Sequence, residues 1–123
     1  MLHPPLATLR QPVTDGATRP LDWRLEQLQR LERAIAQRQD AVLAALAKPA
    51  VEAYYELVAV QQELRLSRRH LRRWMAPRAV GVPLSLLPGR AEVIPEPLGC
   101  VLIIGPWNYP FNLSLQPLIS ALA

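Results

Sequence analysis

Thirteen prolines punctuate this chain, and none of them falls in residues 21–48 or 50–76. Proline inside a helix removes a backbone hydrogen bond and clashes with the preceding turn. Two long proline-free stretches meeting at Pro49 therefore point to two long helices. In the first, Leu21, Leu25, Leu28, Ile35, Val42 and Leu46 recur at helical spacing, with Arg24, Gln27, Arg30, Gln37, Arg38 and Asp40 spread elsewhere around it. In the second, Leu57, Val60, Leu64, Ser67, Leu71 and Trp74 keep a near-heptad period, so one stripe faces a partner. The pattern predicts an antiparallel two-helix pair over residues 21–76, turning at Lys48-Pro49, after an extended segment over residues 1–20. No internal repeat or low-complexity tract interrupts it.

From Pro77 onward the pattern shifts to short extended pieces, residues 79–87 and 91–95, with Pro88-Gly89-Arg90 as a turn between them. This predicts a β-hairpin within residues 77–97. Pro83, Pro88 and Pro95 argue for edge strands, because proline cannot donate to a central ladder. Open edges of this kind favour aggregation of the chain on its own.

A third unit begins at residue 98. Residues 101–104 are an unbroken apolar run between Gly99 and Gly105-Pro106, as in a strand covered on both faces of a parallel sheet. An edge strand in a small α+β domain is the competing assignment. No second strand of the same type follows, so a parallel partner has to come from elsewhere. Gly105 allows a sharp turn, Pro106 and Pro110 stiffen the loop, and Pro110 suits the first position of a helix carrying Phe111, Leu113, Leu115, Leu118, Ile119 and Leu122. Pro117 is expected to kink that helix or delay its start. Asn108 falls between the strand end and the helix amino terminus, the crevice where α/β sheets bind ligands and where free N–H donors collect. By residue type alone, Asn108 reads as an ordinary loop asparagine satisfying local backbone groups, and Trp107 and Tyr109 could be core aromatics.

Cys100 is the only cysteine, so no internal disulfide can form, and with His3 and His70 it makes no zinc pattern. Inside an apolar strand, with no basic neighbour, its thiol is expected to be buried, raised in pKa and unfit as a nucleophile. The opening residues lack a signal-peptide pattern and no run approaches a membrane span, which together indicate a cytoplasmic protein. The net charge of +4 comes largely from Arg65, Arg68, Arg69, Arg72, Arg73 and Arg78. Such a cluster could bind a polyanion, but cations near a helix carboxyl terminus offset its dipole and usually form a solvated face. Nucleic acid is therefore not the expected partner.

The run Glu96-Pro97-Leu98-Gly99, then Ile103-Ile104-Gly105-Pro106-Trp107-Asn108-Tyr109-Pro110-Phe111-Asn112-Leu113, then Gln116-Pro117-Leu118, resembles the aldehyde dehydrogenases, most closely their class 3 or fatty-aldehyde branch. Upstream, Lys48-Pro49, Glu52-Ala53-Tyr54 and Trp74-Met75-Ala76-Pro77 extend the similarity over about residues 21–123. The resemblance implies an α/β fold: a helical pair, a hairpin from the oligomerisation subdomain, and, from residue 98, the first strand, loop and helix of a Rossmann-like domain, truncated at residue 123. It also implies oxidation of aldehydes to carboxylic acids with NAD or NADP in a homodimeric enzyme, on medium or long aliphatic or aromatic aldehydes. In the family a cysteine thiolate attacks the aldehyde, hydride passes to nicotinamide, and a glutamate-activated water hydrolyses the thioester.

Asn108 matches the family's oxyanion-stabilising asparagine, Ile104, Pro106 and Trp107 match cofactor-lining positions, and Tyr109, Glu56 and Val60 match substrate-channel positions. On residue type alone, Glu56 and Val60 read as a solvated helix face. The resemblance implies no metal. The nucleophile and general base would lie beyond Ala123, as would any carboxy-terminal anchor, so the chain alone is expected to be inactive. A short form that binds and regulates full-length subunits is the alternative.

Overall fold

A computed structural model describes residues 5–123. Among them are five helices and a two-stranded sheet: α1 (Leu6–Thr14), α2 (Leu21–Gln37), α3 (Gln39–Leu46), α4 (Ala50–Met75), β1 (Arg78–Val80), β2 (Ala91–Val93) and α5 (Pro110–Leu122). α4 is the spine, and α2, α3 and α5 all pack on it. The core is Leu28 and Ile35 of α2, Leu57, Val60, Leu64 and Leu71 of α4, and Ile119 of α5, with Phe111 and Leu115 packed at its edge. The predicted stripe of α4 is thus buried from Leu57 to Leu71, Ser67 included, while Trp74 stays exposed and stacks against His70 with ring centroids 5.9 Å apart.

Several expectations are corrected. Residues 1–4 of the predicted extended segment lie outside the described residues, and Leu6–Thr14 is helical. Leu6, Leu9 and Val13 fall at helical spacing, and Val13 reaches Gly99, whose φ of +93° favours glycine. The first long helix is two. At Arg38 the backbone leaves helical geometry (φ −118°, ψ 15°), and its N–H bonds back to the Ile35 carbonyl while its own carbonyl accepts from Val42. This one-residue reset turns Leu43 of α3 onto the core. α3 then stops at Ala47, in the left-handed region (φ 48°, ψ 38°). Arg24, assigned to the polar side of the first helix, is buried.

The hairpin forms, but its strands have three residues each, paired Arg78 with Val93, Ala79 with Glu92 and Val80 with Ala91. Pro83 and Pro95 end the ladder by supplying no donor. The connection carries a 3₁₀ turn, Leu84–Leu86, followed by a tight turn through Leu87 and Pro88 in which the Gly89 N–H donates to the Leu86 carbonyl, close to the turn expected at residues 88–90.

The predicted strand at residues 101–104 is not formed: the segment has no regular secondary structure and no ladder partner among the described residues. A strand exists only when a neighbour supplies its hydrogen bonds, and the apolar run finds none here. Leu102 is 84% exposed, and Cys100, expected inside the sheet, is exposed as well. α5 begins at Pro110 as predicted and continues through Pro117 without a delayed start. Among the described residues, no helix is long and apolar enough to cross a membrane.

Candidate active-site loop and the carboxylate beneath it

Residues 105–109 run from the arm of residues 101–104 into α5. Gly105 is required by close approach and not by a turn: a Cβ there would sit 2.0 Å from Ser114 Oγ and 3.2 Å from Ser114 Cβ. The arm is thereby laid directly on the second turn of α5. Past it, Trp107 is 94% exposed, and Ile104, Pro106 and Asn108 are exposed too. Tyr109 is the amino-terminal cap residue of α5.

Beneath this loop lies a buried carboxylate. Glu56 of α4 is 1% exposed, and its Oε2 accepts from the backbone N–H groups of Phe111 and Asn112, both at 3.0 Å. Its Oε1 accepts from Lys48 Nζ at 2.7 Å. Burial pushes the Glu56 carboxyl pKa up, but the Lys48 ammonium and the N–H groups of Asn112 and Phe111 outweigh it, so the pKa is lowered and the group stays ionised. A carboxylate at the start of a helix also meets the positive end of the helix dipole.

Glu56 thus takes up two of the N–H groups that the first turn of α5 leaves without an intrahelical partner. Pro110 has no N–H, Phe111 and Asn112 donate to Glu56, and Leu113 donates to the Tyr109 carbonyl at 3.0 Å. The free donors expected at this helix end for an anionic ligand are occupied by the protein's own carboxylate. Arg24 sits at the other end, donating to the Ala123 carbonyl at 2.7 Å. α5 thus meets a carboxylate of α4 at its first turn and a guanidinium of α2 at residues 122–123.

Lys48 links the carboxylate to the loop. Its ammonium donates to Glu56, donates to the backbone carbonyl of Asn108, and lies over the Tyr109 ring, 4.1 Å from the centroid. An ammonium has three protons, and these three partners account for them.

The predicted site residues therefore separate into two groups. Asn108, Tyr109, Pro106, Trp107 and Ile104 share one exposed loop. Glu56 is enclosed under the loop and Val60 is in the core, because the α4 stripe that carries them faces α2 and α5. The solvated-face assignment fails for the same reason. An apolar groove of about 740 Å³ lies on the adjoining face, bounded by Leu43, Lys48, Val51, Tyr54, Tyr55 and Val58. A second cavity, about 540 Å³, opens between Trp74, Met75, Pro97 and Ser120. Lys48 borders only the first, which no residue of the loop lines. Among the described residues no cluster of metal-ligating side chains occurs.

Lys48 and the capping role of Glu56 were missed in the sequence, although a signal was present. Glu56 lies in the buried stripe between Ala53 and Val60, and Lys48 is the only lysine in the chain. A carboxylate inside an apolar stripe demands donors.

Residues 11–123 match the aldehyde dehydrogenase family model, and the chain belongs to that family. It is 38% identical over 120 residues to Aldehyde dehydrogenase family 3 member H1 of Arabidopsis thaliana, a match covering 94% of this chain and 25% of the relative. Aldehyde dehydrogenase family 3 member A2 of Rattus norvegicus is 42% identical, again over 94% of this chain and 25% of its own. A solved structure, a substrate-bound state of AldH from Staphylococcus aureus, superposes with a TM-score of 0.91 at 34% identity, over 95% of this chain and 27% of that one. The chain thus spans about a quarter of the length of the curated relatives it matches. Its helices and small sheet correspond to the N-terminal part of the aldehyde dehydrogenase fold.

Proposed function

We propose that this chain supplies the oxyanion-stabilising loop of an NAD(P)-dependent aldehyde dehydrogenase, with Asn108 donating its side-chain amide to the oxygen that becomes negative as a nucleophile adds to the aldehyde. The observation that carries the reading is the loop itself: an exposed asparagine amide whose backbone is fixed from below by Lys48 and whose helix start is fixed by Glu56. A donor fixed before reaction needs no reorganisation when charge develops, and one such donor is worth about 100- to 1,000-fold in turnover.

Ile104, Pro106 and Trp107 suit the apolar parts of a dinucleotide, its ring and ribose; the amino terminus of α5, where Phe111 and Asn112 already donate to Glu56, does not suit its phosphates. NAD or NADP, when bound, accepts the two electrons removed from the aldehyde. The groove beside Lys48, walled by Leu43, Val51, Tyr54 and Val58, favours medium or long aliphatic or aromatic aldehydes. The β1–β2 hairpin, exposed along both strands, is the surface offered to a second subunit.

The test is Asn108→Ala in the native protein that carries residues 1–123, assayed for aldehyde oxidation by cofactor reduction. Turnover should fall by about 100-fold or more with cofactor KM little changed. A native protein that oxidises no aldehyde, or an Asn108→Ala variant with unchanged turnover at saturating substrate, would overturn the reading.

A further inference from the structure

Lys48 is the single lysine of the chain, and its ammonium makes three interactions at once, with Glu56, the Asn108 carbonyl and the Tyr109 ring. Its side chain is 17% exposed and its partner carboxylate is fully buried. A buried ion pair is costly to assemble, so a pair that is retained commonly fixes one arrangement over its alternatives. Here the arrangement is specific. Glu56 anchors the ammonium, and the ammonium then grips the carbonyl of Asn108, the residue whose side chain carries the proposed chemistry. The ring of the next residue, Tyr109, closes over the same ammonium and limits rotation of the peptide between them.

We propose that Lys48, anchored by Glu56, is a positioning residue: it holds the Asn108 backbone so that the side-chain amide points where the oxyanion forms. This rests on the oxyanion reading above and adds to it the part of the chain that sets the aim of the amide. No chemistry passes through Lys48, whose ammonium meets only a carboxylate, a carbonyl and an aromatic face. Its effect on rate acts through geometry, where displacement of about 1 Å can cost about 100-fold.

The experiment is a double-mutant cycle in the same native protein. Lys48→Met should lower kcat about 10- to 100-fold with cofactor KM unchanged. Added to Asn108→Ala, it should cost nothing further, because its target is gone. Full additivity of the two losses would overturn the proposal while leaving the oxyanion reading intact. An Asn108→Ala variant with full turnover would overturn both.

Lys48→Arg remains decisive even where Lys48→Met fails to fold. It keeps the charge opposite Glu56 but moves the donor that meets the Asn108 carbonyl. Its melting temperature should match the wild type while kcat drops severalfold. Wild-type kcat in Lys48→Arg would overturn the proposal, as would a loss that follows stability alone.

Discussion

Replacing Glu56 by Gln tests the physical core of this arrangement without changing its shape. The carboxylate accepts three hydrogen bonds, two from the α5 amides at 3.0 Å and one from Lys48 at 2.7 Å. Glutamine has one acceptor oxygen. If that oxygen faces Phe111 and Asn112, the amide NH2 opposes the ammonium; if it faces Lys48, the NH2 opposes two N–H groups. Either way donors meet donors, and the Lys48 charge, 17% exposed, loses its buried counter-charge. Breaking one side of a buried pair costs about 3–5 kcal/mol. The surviving contact puts Glu56→Gln near the lower end, about 3 kcal/mol, or somewhat more than 100-fold in the unfolding equilibrium. Urea unfolding should show a lower midpoint with an unchanged slope. Hydrogen exchange should show lost protection at the Phe111 and Asn112 amides. A loss below about 0.5 kcal/mol with both amides still protected would refute the reasoning, since surface substitutions give changes of that size.

Acid should act on the same group. The Glu56 pKa is lowered in the folded chain, so its stabilisation is fully present above the ordinary glutamate range and disappears as pH falls through the lowered folded value. Acid unfolding of the wild type should therefore depend more steeply on pH in that window than unfolding of Glu56→Gln; equal slopes would contradict the assignment. Leu64→Ala, at a fully buried site between α2 and α5, should cost about 2–5 kcal/mol by chemical denaturation. Gly105→Ala should cost about 1–3 kcal/mol through its collision with Ser114, and Ser114→Ala, which removes the nearest atom, should restore part of it. By contrast, the half-exposed pair of Glu32 and Arg68 should yield less than about 1 kcal/mol in a double-mutant cycle.

What the sequence made legible depended on how local the cause was. α4 was readable because its stripe from Leu57 to Leu71 and its bounding prolines are properties of one segment. Pro110 announced the start of α5 in the same way. The break at Arg38 was not readable, since no glycine or proline marks it; it follows from where Leu43 must go to reach the core. Residues 101–104 have the composition of a strand, but pairing belongs to two segments and one segment cannot specify it. Asn108, Trp107 and Tyr109 stood out through their motif, which reports residue types without the support under them. That support was obscured by a habit of reading: glutamate on a helix is taken for a solvated residue, and only its place in the apolar stripe argued otherwise. The arginines at the end of α4 behaved as the charge argument anticipated, with Arg72 and Arg73 in its last turn and Arg68 spent on Glu32.

The two charged grips on α5 have a consequence for recombination. Glu56 comes from α4 and Arg24 from α2, so the helix that follows the loop is held by residues far upstream. A chimera that exchanges residues 98–123 between relatives would seat the new helix on the α2 and α4 of another chain, and the loop would inherit whatever tilt resulted. The smallest block that carries its own alignment starts no later than Arg24. Libraries built with crossovers before that point should retain loop geometry, whereas crossovers between Glu56 and Asn108 should scatter it, even where every loop residue is identical.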